Sequence, residues 1–152
     1  MLNRDTEASR NYGTNPYSGY DRVDNTPFLF DGESDGRLLP KERVVAIEVG
    51  GVDAAFPFPV IAQERAVNYT VGGVDVAVFF EPGTVSALDR RFIASSKDIG
   101  SKGVFVPSVD GQRLTFRLNG TPEDGVIVDN ETGSTWSILG TAIKGAARRL
   151  AA

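Results

Sequence analysis

Residues 129–136 read Asp-Asn-Glu-Thr-Gly-Ser-Thr-Trp, placing two carboxylates and several hydroxyls beside the chain's one tryptophan. A pair of acids next to an aromatic platform is what cleavage of a glycosidic bond needs: one acid protonates, the other acts as base or nucleophile, and the ring holds the sugar. Glu81 closes the apolar run Val78-Phe79-Phe80 and could supply a partner acid from another strand for Asp129 or Glu131. The same octapeptide also reads as a tight turn, with Asp129 holding backbone amides and Trp136 filling the core, and the turn is the favoured reading.

Two other stretches have the residue types for a site. In Asp-Gly-Glu-Ser-Asp-Gly-Arg-Leu-Leu-Pro-Lys-Glu, residues 31–42, acids fall at the first, third, fifth and twelfth positions and glycine at the sixth, close to the calcium loop of an EF-hand. Glu33 is longer than the usual third ligand, Pro40 interrupts the loop and no helix flanks it, so an acidic turn is favoured over a calcium-stabilised structure. Residues 12–21, Tyr-Gly-Thr-Asn-Pro-Tyr-Ser-Gly-Tyr-Asp, are dense in polar aromatics that could line a pocket or anchor a loop. Asn68, Asn119 and Asn130 each open an Asn-x-Thr acceptor pattern, which has meaning only in a glycosylating host.

Composition narrows the chemistry. The 152 residues include no Cys and no His, which removes disulfides, thiolate catalysis, zinc-thiolate sites and the side chain that most readily moves protons near neutral pH. A metal, if any, would be a hard cation on oxygen ligands, and acid-base work would fall to Asp, Glu, Lys or Tyr. The net charge of −4, without a basic block, argues against a nucleic-acid partner. No apolar run reaches the ~20 residues that span a bilayer. The opening Met-Leu-Asn-Arg-Asp carries no secretory pattern, leaving a mature, truncated or cytoplasmic chain as open readings.

The elements that must position these residues are mostly strands. Seventeen glycines and eight prolines favour turns. Gly50-Gly51 joins the β-rich segments 44–49 and 52–56, and Gly72-Gly73 joins 66–71 and 74–80; two such pairs predict two antiparallel hairpins. Val74, Val76, Val78 and Phe80 share one face of their strand and Ala77 and Phe79 the other, the pattern of a central strand. Leu114, Phe116 and Leu118 alternate with Arg113, Thr115 and Arg117, predicting a half-exposed strand over 113–118. Short strands are expected at 126–128 and 135–139, a helical turn at 60–65, and a turn or two at 88–96 capped by Thr84 or Ser86. Leu139, Ala142, Ile143, Ala146 and Leu150 fit helical spacing, weakened by Gly140 and Gly145. The expectation is a single domain over 1–152: an irregular arm (1–40) pinned by Tyr12, Tyr17, Tyr20 and Phe28, a core (42–139) of one antiparallel sheet curled into a barrel or sandwich, and a tail (140–152) holding a short helix.

Taken in order, several motifs resemble those of the bacterial and archaeal domain of unknown function 3179: Arg4-Asp5-Thr6, residues 12–21, Pro27-Phe28-Leu29-Phe30, Asp35-Gly36-Arg37-Leu38 with 41–45, residues 82–87, Thr115-Phe116, and 129–140 with Ala142 and Gly145. The resemblance implies no established activity, and it implies work outside the cytoplasm. It also implies that other members carry a Cys-Pro-x-Cys-type motif where this chain has Glu81-Pro82-Gly83-Thr84, so the strand-end turn is the expected functional locus and a thiol mechanism cannot carry over. The chain departs again at 144–150, where relatives continue into a further stretch; a missing strand would expose a sheet edge through which two copies could pair.

The site expected from these readings is a hollow shared by three segments: Asn15, Tyr17, Tyr20 and Asp21 from the arm, Glu81 and Ser86 from the turn, and Asp129, Thr132, Ser134 and Trp136 from the tail. It is expected to bind a small molecule or a protein without catalysis, cofactor or metal. The hydrolase and the calcium-stabilised domain are the alternatives.

Overall fold

Two Gly-Gly turns organise the first half of the chain. A computed structural model gives the fold and describes residues 14–27, 29–33, 35–145 and 149–151. Strand β1 (Val44–Val49) returns as β2 (Val52–Pro57), and β3 (Ala66–Val71) returns as β4 (Val74–Glu81), both antiparallel. Gly50, Gly51, Gly72 and Gly73 have φ between 56° and 81°, the left-handed conformation that two-residue hairpins need and that only glycine takes without strain. Between the hairpins, α1 (Phe58–Glu64) begins two residues earlier than its spacing predicts, because Pro59 suits a helix's first turn. It stops at Arg65, which turns left-handed with φ 61° and donates from Nε to Phe80 O at 2.8 Å and from Nη1 to Pro122 O at 2.6 Å.

As its pattern predicts, β4 is central. It pairs with β3 on one side and β5 (Ser101–Phe105) on the other, and a separate core lies against each of its faces. Ala77 and Phe79 pack with Phe105, Leu114, Phe116, Ile127, Trp136 and Leu150, where Phe79, Phe116 and Trp136 meet in successive edge-to-face contacts. On the opposite face Val76, Val78 and Phe80 pack with Phe56, Ile61 and Val71.

The second half adds a short hairpin, β6 (Ser108–Val109) and β7 (Gln112–Arg113), and a sheet of β8 (Phe116–Asn119), β9 (Val126–Asp129), β10 (Thr135–Trp136) and β11 (Ala142–Lys144) in the order β11-β10-β9-β8. The fold is mainly β, as expected; among the described residues every ladder is antiparallel, the strands divide among four sheets rather than one, and no closed barrel forms, which leaves the sandwich-like arrangement of the two expected. A side chain links two of these sheets. The Asn68 amide donates to Phe116 O at 2.7 Å and accepts from Phe116 N–H at 2.8 Å, so one residue of β3 meets the edge of β8 as another strand would.

Several local expectations fail for physical reasons. Strand 113–118 is broken between β7 and β8, although Leu114 and Phe116 are buried as its alternation predicts. Strand 135–139 stops at Trp136, because Gly140 N–H turns back to Ser137 O. In the tail, Gly140 and Gly145 take φ of 68° and 113°, incompatible with a helix, and 142–144 form β11 instead; residues 146–148 lie outside the described residues. Residues 93–95 form a single 3-10 turn preceded by Phe92, with neither Thr84 nor Ser86 capping it. Tyr17 and Tyr20 do not pin the arm: they are 65% and 43% exposed, whereas Asn15 and Asp21 are buried. Tyr12 and Phe28 lie outside the described residues. Among the described residues, no helix is long and apolar enough to cross a membrane.

Candidate functional site

The turn that ends β4 is shaped by an acid the sequence did not single out. Asp98 accepts hydrogen bonds from the amides of Gly83 (2.6 Å), Thr84 (3.1 Å) and Gly100 (2.7 Å), and Thr84 Oγ1 meets Ser101 Oγ at 2.7 Å. Burial raises the Asp98 carboxyl pKa, but those amides and the charge of Lys102 outweigh it and hold the group below its usual range. Glu81 leaves the same turn on the Phe79 side of the strand, exposed, with no hydrogen bond or ion pair from its carboxylate to a described residue.

The arm meets this turn through Asp21. Its Oδ2 lies 2.6 Å from Ser86 Oγ, 2.6 Å from Arg43 Nη2 and 3.4 Å from Lys97 Nζ. Arg43 Nη2 also donates to Ser86 Oγ at 3.1 Å, which in turn accepts from Leu88 N–H. Two backbone bonds run beside this cluster, from Asn15 N–H to Arg91 O and from Gly19 N–H to Asp89 O. Burial raises the Asp21 pKa, but the bonds from Ser86 and Arg43 and the charge of Lys97 prevail, and Asp21 is held charged below the usual carboxylate range. Asn15 Oδ1 accepts from Tyr17 N–H, while Asn15 Nδ2 and Asp21 Oδ1 are buried without a hydrogen bond.

Next to this latch a cleft of about 230 Å³ is lined by Val23 of the arm, Glu42, Arg43, Phe58, Pro59, Ala62, Phe80, Lys97, Asp98 and Ile99. Its apolar residues come from the arm, α1, β4 and the 97–100 loop, on the Phe80 side of β4. Lys102 stands against these residues, its Nζ 3.6 Å from the Phe58 ring centre and 5.2 Å from that of Phe80, donating to Ile99 O and Gly100 O. Burial and the nearby positive charge of Arg43, only partly offset by Asp98, push Lys102 down to about 8.

The tail residues form a cluster of their own beside the other face. Asp129 is 1% exposed and accepts from Thr132 N–H and Oγ1, Ser134 N–H and Trp136 Nε1. Those donors overcome the upward push of burial and hold its carboxyl low, leaving it neither a proton to give nor an open approach for a substrate. Glu131 is spent on Thr115, whose N–H and Oγ1 both donate to it at 2.8 Å. The structure therefore unites Asp21 with Ser86, gathers Asp129, Thr132, Ser134 and Trp136 separately as a turn beneath the core, and bonds Glu81 to neither group. In the 31–42 loop Asp35 faces Arg37, and among the described residues no group of three acids gathers to hold a metal.

Arg43, Lys97, Asp98 and Lys102 were missed from sequence. Asp21 bonds Arg43 and Ser86 across 22 and 65 residues, and no local spacing encodes such a meeting. The usable signal was weaker: Arg43 is a charged residue immediately preceding an apolar strand, and Lys97-Asp98 sits among turn residues.

Fold and site together define a small β-rich protein whose arm is latched to a strand-end turn through Asp21. The chain belongs to the family described as Protein of unknown function (DUF3179), whose model matches residues 1–152. No curated protein and no solved structure gives a match to it.

Proposed function

We propose that this chain is a non-catalytic module that binds a small ligand in the cleft beside the arm and the 81–86 turn, and that it works outside the cytoplasm. The observation that carries the binding site is the Asp21–Ser86–Arg43 cluster, which fixes arm and turn beside a concavity with apolar walls and charged residues at its edge. Preformed clefts of mixed apolar and polar lining are where small molecules bind, because little ordering cost remains when the ligand arrives. The extracytoplasmic placement rests on the family resemblance alone.

The use of the acids supports the non-catalytic reading. Hydrolysis by Glu81 with Asp129 or Glu131 gains no support, since Asp129 and Glu131 spend their oxygens on the turn and on Thr115. Calcium stabilisation through 31–42 gains none either, because Asp35 is taken by Arg37.

The test is a fragment titration followed by amide and side-chain NMR shifts of the labelled protein. Shifts confined to Val23, Arg43, Phe58, Phe80, Lys97 and Ile99 are expected for the fragments that bind. Shifts clustering instead around Asp129 to Trp136, or no saturable shift from any fragment, would sink the reading.

A further inference from the structure

We propose that the cleft's ligand is a small organic oxyanion, its carboxylate or phosphate held by Arg43 and Lys97 and its apolar body resting on Phe58, Phe80 and Ile99; this rests on the reading of the cleft as a binding site. The argument begins with unused donors. A guanidinium offers five N–H groups in a planar fork that matches an oxyanion two bonds at a time. Arg43 commits only Nη2, to Asp21 and Ser86, so Nε and Nη1 make no hydrogen bond to a described residue while the side chain borders the cleft. The anchored nitrogen fixes the plane, so the remaining donors are held in place before any ligand arrives.

Charge supports the same occupant. Arg43 and Lys97 share one carboxylate, Asp21, and Lys97 holds it only at 3.4 Å with its own side chain 42% exposed. Lys102 adds a third cation against the same rings, without a salt-bridge partner among the described residues. Converging like charges repel, and an anion entering between them removes that repulsion. Two acids oppose it. Asp98 stays charged but faces three backbone amides and Lys102, whereas Glu42 has no side-chain partner among the described residues and repels an anion, which sets the ligand's charged end at Arg43 and Lys97.

Four probes of one shape test this: benzoate, phenyl phosphate, benzamide and benzylamine, titrated into the labelled full chain at one ionic strength. One of the two anions should bind at least about tenfold more tightly than benzamide, shifting the Arg43 Nε–H resonance, and benzylamine should bind weakest. Lys97→Gln should weaken anion binding severalfold and Glu42→Gln should strengthen it, in each case by much more than benzamide binding changes. Equal affinity for benzamide and the anions would overturn the oxyanion while leaving the cleft as a binding site. No saturable shift from any of the four would remove both. Neither Lys97 nor Glu42 belongs to either buried core; with an amide spectrum that shows each variant folded, indifference of anion affinity to both substitutions would also overturn the proposal.

Discussion

Asp21 and Ser86 stand 65 residues apart in sequence and share a 2.6 Å hydrogen bond in the fold. The bond joins the arm, whose described residues form neither helix nor strand, to the turn that ends the central strand. The arm thereby gains through one buried carboxylate what its exposed tyrosines do not supply.

Asp21→Ala should therefore release the arm. Loss of hydrogen bonds to a charged acceptor costs about 2–3 kcal/mol, and at ~2–4 °C per kcal/mol the melting midpoint should fall by about 4–12 °C. Limited proteolysis should cut within 14–25 far sooner than in the parent. Ser86→Ala should cost less, because Arg43 still reaches Asp21; a double-mutant cycle should return a coupling of about 1 kcal/mol or more. Additive effects would show that the two residues do not act together.

Lys102 predicts an unusual alkaline limb. Its folded pKa of about 8 lies below the ordinary 10.5, so between those values the unfolded chain binds more protons than the folded one. Stability contributed by this group should rise with pH across that window. Lys102→Met should raise the urea midpoint at pH 7 and flatten the dependence from pH 8 to 10.5. A variant that follows the parent's slope would show that the ammonium is not strained by its surroundings.

Asp129 works at the acid end. Its carboxyl is held below the usual range, so its stabilisation is complete above about pH 4 and is lost as pH falls through the lower folded value. Asp129→Asn places an amide among four donors and should cost about 2–3 kcal/mol at pH 7, with a shallower loss on acidification. Chemical denaturation at a series of pH values, followed by Trp136 fluorescence, measures both.

Asn68 gives a prediction about the join between sheets. Asn68→Ala leaves the N–H and C=O of Phe116 without their amide partner and should cost about 1–3 kcal/mol. Hydrogen exchange at the Phe116 amide should accelerate much more than at Val78, whose ladder is intact. Equal acceleration at both would mean that the fold opens as one unit.

These relationships differ in how far the sequence discloses them. Both Gly-Gly hairpins and the two-sided burial of β4 are local facts, written in turn chemistry and in alternation along a single strand. Strand β5 is not: Ser-Lys-Gly-Val-Phe has weak strand preference and is extended because the open edge of β4 needs a partner. The tail shows the reverse case, where helical spacing is overruled by two glycines with positive φ. The Trp136 turn was readable as a turn because Asp129 lies close in sequence to its partners. The latch was half readable: Asp21 and Ser86 were candidates on separate grounds, but Arg43, which joins them, stood only within the 41–45 motif, where nothing assigned it a partner.

The Asp98 carboxylate has a further consequence for the strand-end turn. It holds Gly83, Thr84 and Gly100 by their main-chain amides, which every residue but proline possesses. The loop's shape is therefore indifferent to the side chain displayed at position 81, whose exposed Glu could give way to another residue without disturbing the backbone beneath it. Such a mount lets one scaffold change the side chain it displays there while the rest of the protein stays as it is.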